Sequence, residues 1–292
     1  MHHDVSGVIA IAKPAGVTSR KVVDAVARAL DTKAVGHAGT LDPLASGVVV
    51  VCVGHATKLV DFVHDLSKRY TAVFLLGRSS PSDDLETPVE EEPAPARPTR
   101  ADLEAALPSF RGPILQRPCD YSAVHVDGKR AYRLARQGRA VELPEKPVSI
   151  ERLDVTHYEW PRLGLEIECS SGTFVRAIGR DLAAALGTKA VMESLVRTAV
   201  GPFTLPGSLP LDGVGPESAR AALLPCRAAV PHLPAHVIDD QALPLAIRGD
   251  LLDIGAAADS VAALDSAGDL LGVLRRHASG RHRLKPNFRG LG

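Results

Sequence analysis

The sequence predicts an α+β fold: a mixed, largely antiparallel sheet with helices packed on it, followed by a small all-β C-terminal module. Three observations support this. Short strand-like and helix-like runs mix without regular βαβ alternation. One run, VVVVCV at 48–53, is continuously apolar and of strand length, as expected of a strand covered on both faces. Composition shifts near residue 225, where the proline-rich PCRAAVPHLPAHV reads as a linker into short runs split by Gly and Asp.

The elements follow in order. GVIAIAKPAGVTS reads as a strand and a Pro-Gly loop. RKVVDAVARALD has Val22, Val26, Ala29 and Leu30 at helical spacing, with Thr18 or Ser19 as N-cap. The loop GHAGTLDPLASG precedes the VVVVCV strand. ATKLVDFVHDL reads as a helix and KRYTAVFLLG as a strand. Residues 78–98, rich in Pro, acid and Ser, read as a mobile surface loop. RADLEAAL is a short helix capped by Thr99, and YSAVHVDGK a strand ending in an Asp-Gly turn. KRAYRLARQG reads as a basic helix closed by Gly138. VSIERLDVTHYEW and LGLEIECS are strands. In TFVRAIGRDLAAALG, Phe174, Ile178, Leu182 and Ala185 form one helical stripe. We expect a main domain over 1–229 and a second over 230–292, the latter marginal alone by size.

At 292 residues, with 45% apolar and 23% charged residues, the chain can build a real core and is not disordered by composition. Formal net charge is zero, but its distribution is uneven. Residues 129–139 carry five Lys/Arg and no acid, 271–292 carry six and no acid, and 83–104 carry eight Asp/Glu against two Arg. Screening over ~8–10 Å lets such basic faces meet a polyanion locally despite overall neutrality. Four well-separated cysteines give neither metal-ligand spacing nor a disulfide framework. No apolar run reaches membrane-spanning length. A reduced, cytoplasmic setting is expected.

The chemistry narrows to carboxylate work. There is no P-loop, G-x-G-x-x-G, G-x-S-x-G or H-E-x-x-H. Asp42, taken alone, is an ordinary turn residue before Pro43. Its setting is less ordinary. Glycines at 36, 39 and 47 permit a tight loop, and a buried strand anchors it. Arg176 lies off the apolar stripe of its helix and, paired with a carboxylate, would hold and orient it. Tyr70, between Arg69 and an apolar strand, is either a packing residue or a stacking surface for a base. His37, between glycines, reads as a loop tip without a second metal ligand nearby.

GHAGTLDPLASGVVVVCVGHATKL closely resembles the catalytic motif of the TruB family of bacterial tRNA pseudouridine-55 synthases. IAKPAGVTS, KRYTAVFLLG, RPCDYSAVHVDGKRAYRLARQG, CSSGTFVRAIGRDLAAALG and LVRTAVGPF are similar in order and spacing, so the resemblance spans about residues 7–203. It implies the pseudouridine synthase fold with a C-terminal PUA-type domain gripping the far end of the RNA arm. It implies Asp42 as nucleophile toward a flipped uridine, Arg176 as its cationic partner, and Tyr70 as the residue that stacks on the base and helps remove the carbon 5 proton. His37 corresponds to the histidine inserted where flipped bases leave, and Lys13 and Leu195 to positions near the pocket. Lys129, Arg130 and Arg133 are expected to hold RNA by its phosphates. The implied partner is the T arm of tRNA; no metal, organic cofactor, membrane or obligate protein partner is expected, and a monomer is. RSSPSDDLETP departs from the family's Asp-Thr-x-Asp pattern, and the C-terminal segment diverges. Two alternatives stand beside this reading: a non-catalytic RNA-binding or tRNA-folding protein, and a glycoside hydrolase, which needs a second carboxylate ~5–10 Å from Asp42.

Overall fold

The computed structural model describes residues 5–122, 125–126, 129–130 and 143–288. The strands in chain order are β1 (Gly7–Lys13), β2 (Val35–His37), β3 (Ser46–Val53), β4 (Lys68–Leu76), β5 (Arg78–Ser79), β6 (Glu90–Glu91), β7 (Gly112–Gln116), β8 (His125–Val126), β9 (Lys129–Arg130), β10 (Lys146–Glu159), β11 (Arg162–Cys169), β12 (Ala190–Val200), β13 (Phe203–Thr204), β14 (Leu209–Pro210), β15 (Ala235–Val237), β16 (Ser260–Leu264), β17 (Leu270–Arg276) and β18 (His282–Asn287). The helices are α1 (Ser19–Ala29), α2 (Val60–His64), α3 (Arg100–Ala106), α4 (Val175–Ala185), α5 (Pro216–Ala221) and α6 (Leu243–Arg248). Among the described residues, no helix is long and apolar enough to cross a membrane.

The main sheet has ten strands in the order β14-β1-β3-β12-β4-β11-β10-β7, with β2 paired to β3 and β13 to β12. Its pairs are antiparallel except β1–β14 and β3–β12. The apolar run in β3 is covered on both faces. Val49, Val51 and Val53 join a core with α1, α4 and Phe74, whereas Val48, Val50 and Cys52 join a second core with Phe62 and Val63 of α2. That is why this strand shows no alternation. Helix α1 starts where Thr18 Oγ accepts from Lys21 N, a cap worth ~1 kcal/mol, and buries Val22, Val23 and Val26.

Three expectations are corrected. Residues 78–98 are not a free loop: β5 pairs with β6, Ser82 and Asp84 are buried, and Met192 N donates to Asp83 O. Polar groups here find buried partners, which composition alone does not reveal. No helix starts at Lys129; Lys129 and Arg130 pair antiparallel with Val126 and His125. The remainder of the expected basic helix, 131–139, lies outside the described residues. On α4 the buried set is Val175, Arg176, Ala177, Ile178, Gly179, Leu182 and Ala183, while Ala185 is exposed. Gly179 turns this face toward the sheet, since a Cβ there would lie 2.1 Å from the Phe74 ring.

The second sheet runs β15-β16-β17-β18 and adds one short helix, α6. Its strands alternate: Val261, Ala263 and Leu274 face a small core with Ala246 and Leu252. Ala262 and Val273 face the main body and pack with Phe62, Val200 and Val230. Arg275 lies 4.9 Å over the Phe62 ring, and Phe288 stacks on His55 at 5.3 Å. One face of the module is thus built on the larger sheet.

Candidate active site

The strands set a row of side chains beneath the Asp42 loop. Lys13 pairs with Gly47 between β1 and β3, Gly47 with Arg197 between β3 and β12, and Arg197 with Tyr70 between β12 and β4. Residues directly opposite across a sheet share a face, so Lys13, Arg197 and Tyr70 stand side by side. Gly47 is required between them. Its φ is +114°, and a Cβ would fall 2.2 Å from the Arg197 carbonyl oxygen.

This row holds the loop 38–45. Arg197 is buried and donates to the carbonyls of Gly39 (3.2 Å), Thr40 (3.3 Å) and Val48 (2.7 Å). Lys13, 1% exposed, donates from Nζ to the carbonyls of Pro14 (3.0 Å), Val17 (2.7 Å) and Ala45 (2.5 Å). Ser19 Oγ donates to Leu41 O (3.0 Å) and accepts from Leu41 N (2.9 Å). Gly16 N donates to Pro43 O at 2.7 Å. Asp42 is therefore flanked on both sides by backbone that side chains from β1, α1 and β12 fix in place.

Above the row is a cavity of about 480 Å³ whose wall includes Asp42, Tyr70, Tyr121, Ser122, Arg176 and Leu195. The Asp42 side chain is 39% exposed, and its Oδ2 accepts from Arg176 Nη2 at 3.0 Å. Arg176 itself is 7% exposed. Its Nη2 also donates to Tyr121 O (3.0 Å), its Nη1 to Ser82 O (2.8 Å), and Asp84 Oδ2 lies 3.2 Å from Nη1. Burial works against the Arg176 charge, but Asp42, Asp84 and Asp83 together hold its pKa above the ordinary arginine value. A buried guanidinium that donates from both terminal nitrogens and is charge-paired leaves Asp42 little freedom to rotate. The entry to α4 is fixed as well: Gln116 Oε1 accepts from Phe174 N (2.8 Å) while its Nε2 donates to Phe174 O (3.1 Å).

The structure brings Asp42, Tyr70, Arg176 and Leu195 to one cavity. Tyr70 is nearly buried; burial raises its phenol pKa, and the charge and hydrogen bond of Arg197 offset only part of that. Lys13 sits under the Asp42 loop with its amine on three carbonyls rather than in the cavity wall. Burial first, then Arg197, lowers its pKa to about 8 despite the pull of Asp42. His37 is not a loop tip but the last residue of β2, half-buried, and burial with Arg197 and Arg20 lowers its pKa. The side chains of Lys129 and Arg130, and the whole of Arg133, lie outside the described residues.

Sequence reasoning missed Arg197, Asp84, Ser19 and Gln116. Arg197 left a trace: in LVRTAV it occupies the inward phase shared by Leu195 and Ala199. Asp84 left none, being one acid in an acidic stretch. It is 1% exposed and paired to Arg176, so it is a second carboxylate near Asp42 without being free to reach a substrate. Glu86 lines the exposed side of the cavity. Among the described residues no cluster of three or more His, Cys, Asp or Glu could hold a metal ion.

Comparison with known proteins gives the arrangement a family. Residues 27–175 match the TruB family pseudouridylate synthase (N terminal domain). The chain is 42% identical to the tRNA pseudouridine synthase B of Caulobacter sp. (strain K31), over 91% of this chain and 87% of that protein. It is 40% identical to the protein of the same name from Gloeobacter violaceus, over 84% of each. Among solved structures, a Cbf5-Nop10-Gar1 complex contains a chain that superposes with a TM-score of 0.74 at 24% identity, covering 97% of this chain and 85% of that one, which shows a shared fold. The cavity around Asp42, the sheet beneath it and these matches agree: the chain belongs to the TruB family of pseudouridylate synthases.

Proposed function

We propose that this protein isomerises uridine 55 in the T loop of tRNA to pseudouridine, with Asp42 as the nucleophile. Family membership makes the chain a pseudouridine-forming isomerase; relatives named tRNA pseudouridine synthase B support tRNA as the substrate. The observation that carries the residue assignment is the Asp42–Arg176 pair: an accessible carboxylate at the wall of a nucleoside-sized cavity, oriented by a buried guanidinium.

Covalent catalysis divides one difficult substitution into easier steps. Asp42 attacks the target uridine at the anomeric carbon or at carbon 6 of the base. The C1′–N1 bond breaks, the retained uracil turns, a C1′–C5 bond forms, and the bond to Asp42 breaks, which returns its carboxylate. The proton on carbon 5 leaves and N1 gains one, so the reaction is an isomerisation. Tyr70 stacks on the base and helps the carbon 5 proton depart to water. A base can enter this cavity only after leaving its stack, a cost of a few kcal/mol, and His37, at the end of β2, fills the vacated space. Lys129, Arg130 and Arg133 hold phosphates, and the β15–β18 module, with Arg275, Arg276, Arg281, Arg283 and Lys285 exposed, is a PUA-type domain that contacts the far end of the RNA arm.

The test is to incubate the protein with an unmodified tRNA transcript and locate pseudouridine by carbodiimide adducts and primer extension. One stop at position 55 is expected. Conversion elsewhere, or none, contradicts the proposal.

A further inference from the structure

Ser122 sits in the cavity wall and is 5% exposed. Its Oγ is buried and has no hydrogen-bond partner among the described residues. Buried hydroxyls are nearly always paired, and an unpaired one weakens the fold that contains it. Its position is also constrained. Tyr121, the preceding residue, gives its carbonyl to Arg176 Nη2, the same nitrogen that holds Asp42 Oδ2. The Ser122 backbone is thus fastened to the Asp42–Arg176 pair, while its hydroxyl has no partner among the described residues.

We infer that Ser122 is a substrate-recognition residue whose hydroxyl hydrogen-bonds a polar atom of the nucleoside held over Asp42, on its ribose or its base. This rests on the reading of the cavity as the site of the target uridine. A serine has one χ angle and three staggered positions, so the hydroxyl turns to a substrate atom without backbone movement. The bond completes a group that has no partner among the described residues. Discrimination built this way is strong, because a nucleoside lacking the matching group leaves the hydroxyl unpaired again.

The inference predicts opposite signs for folding and binding, which no purely structural role would produce. Ser122→Ala removes an unpartnered hydroxyl, so its thermal midpoint is expected to equal or exceed that of the parent. Affinity is measured in the Asp42→Asn background, where nothing turns over, using T-arm stem-loop RNA with uridine, 2′-deoxyuridine or a 2′-deoxy abasic site at the target position. Ser122→Ala is expected to weaken the uridine RNA by about tenfold and leave the abasic RNA unchanged. Loss of the effect with 2′-deoxyuridine assigns the contact to the ribose; its persistence assigns it to the base. Equal weakening of the uridine and abasic RNAs, no weakening of either, or a lowered midpoint overturns the inference. Absence of pseudouridine formation by the unaltered protein would instead overturn the proposed reaction, and the binding comparison still reads Ser122.

Discussion

Arg176 holds Asp42 with one terminal nitrogen and faces Asp84 with the other. Asp84 is buried, Asp42 is open to the cavity, and the guanidinium fills the space between them. The charge that orients the proposed nucleophile is therefore itself anchored from behind.

Removing either end of this chain should have different consequences. Arg176→Met leaves Asp84 buried without a countercharge and should cost ~3–5 kcal/mol of stability, together with nearly all turnover. Arg176→Lys keeps a charge but not the forked geometry; it should fold and lose at least about a hundredfold in kcat. Asp84→Asn keeps the shape and should lower kcat less than either. Urea unfolding and single-turnover kinetics on the three variants check this. Equal kcat for Arg176→Lys and the parent would refute the orienting role.

Two buried lysines give a pH dependence of known sign. Burial, then Arg197, brings Lys13 and Lys68 from 10.5 to about 8. The unfolded chain keeps these protons up to about pH 10.5, whereas the folded protein releases them from about pH 8. Between those values the unfolded state binds more protons, so their contribution to stability rises with pH. Relative to Lys13→Met, the parent should gain stability from pH 8 to pH 10. Urea midpoints at pH 7.5, 8.5 and 9.5 measure this difference, and parallel curves for the two proteins would contradict it.

Gly47 joins the loop to the sheet at a point where backbone must meet backbone. Gly47→Ala places a methyl against Arg197 backbone atoms at a residue with φ of +114°. We expect a loss of ~2–4 kcal/mol and reduced activity in whatever protein remains folded, because Arg197 also sets the carbonyls of Gly39 and Thr40. Thermal unfolding with activity normalised to folded protein separates the two effects. An unchanged midpoint would show that β3 and β12 tolerate a wider spacing.

Much of this was legible in the sequence, and the limits have physical causes. The VVVVCV run declared a doubly covered strand because burial on both faces abolishes alternation. GHAGTLDP marked Asp42 because its glycines, proline and following strand each constrain the same short loop. Their resemblance to a family then joined Asp42 to Arg176 across more than a hundred residues, which no local pattern could do. Asp84 and Ser82 were hidden because a stretch rich in Pro, Ser and acid looks the same whether it is solvated or folded back onto a buried arginine. Lys13 was placed near the pocket only by the resemblance, because its three carbonyl partners come from loops whose approach depends on the tertiary fold. The strand pairing at Lys129 was masked by a basic run with helical composition.

The central claim is that Asp42 does the covalent chemistry while the surrounding frame binds RNA. Its most direct test is tritium release from tRNA labelled at carbon 5 of uridine, for the parent and Asp42→Asn, with tRNA affinity measured on both. The account predicts one equivalent released by the parent, none by Asp42→Asn, and closely similar affinities. Release by Asp42→Asn at a comparable rate would contradict it.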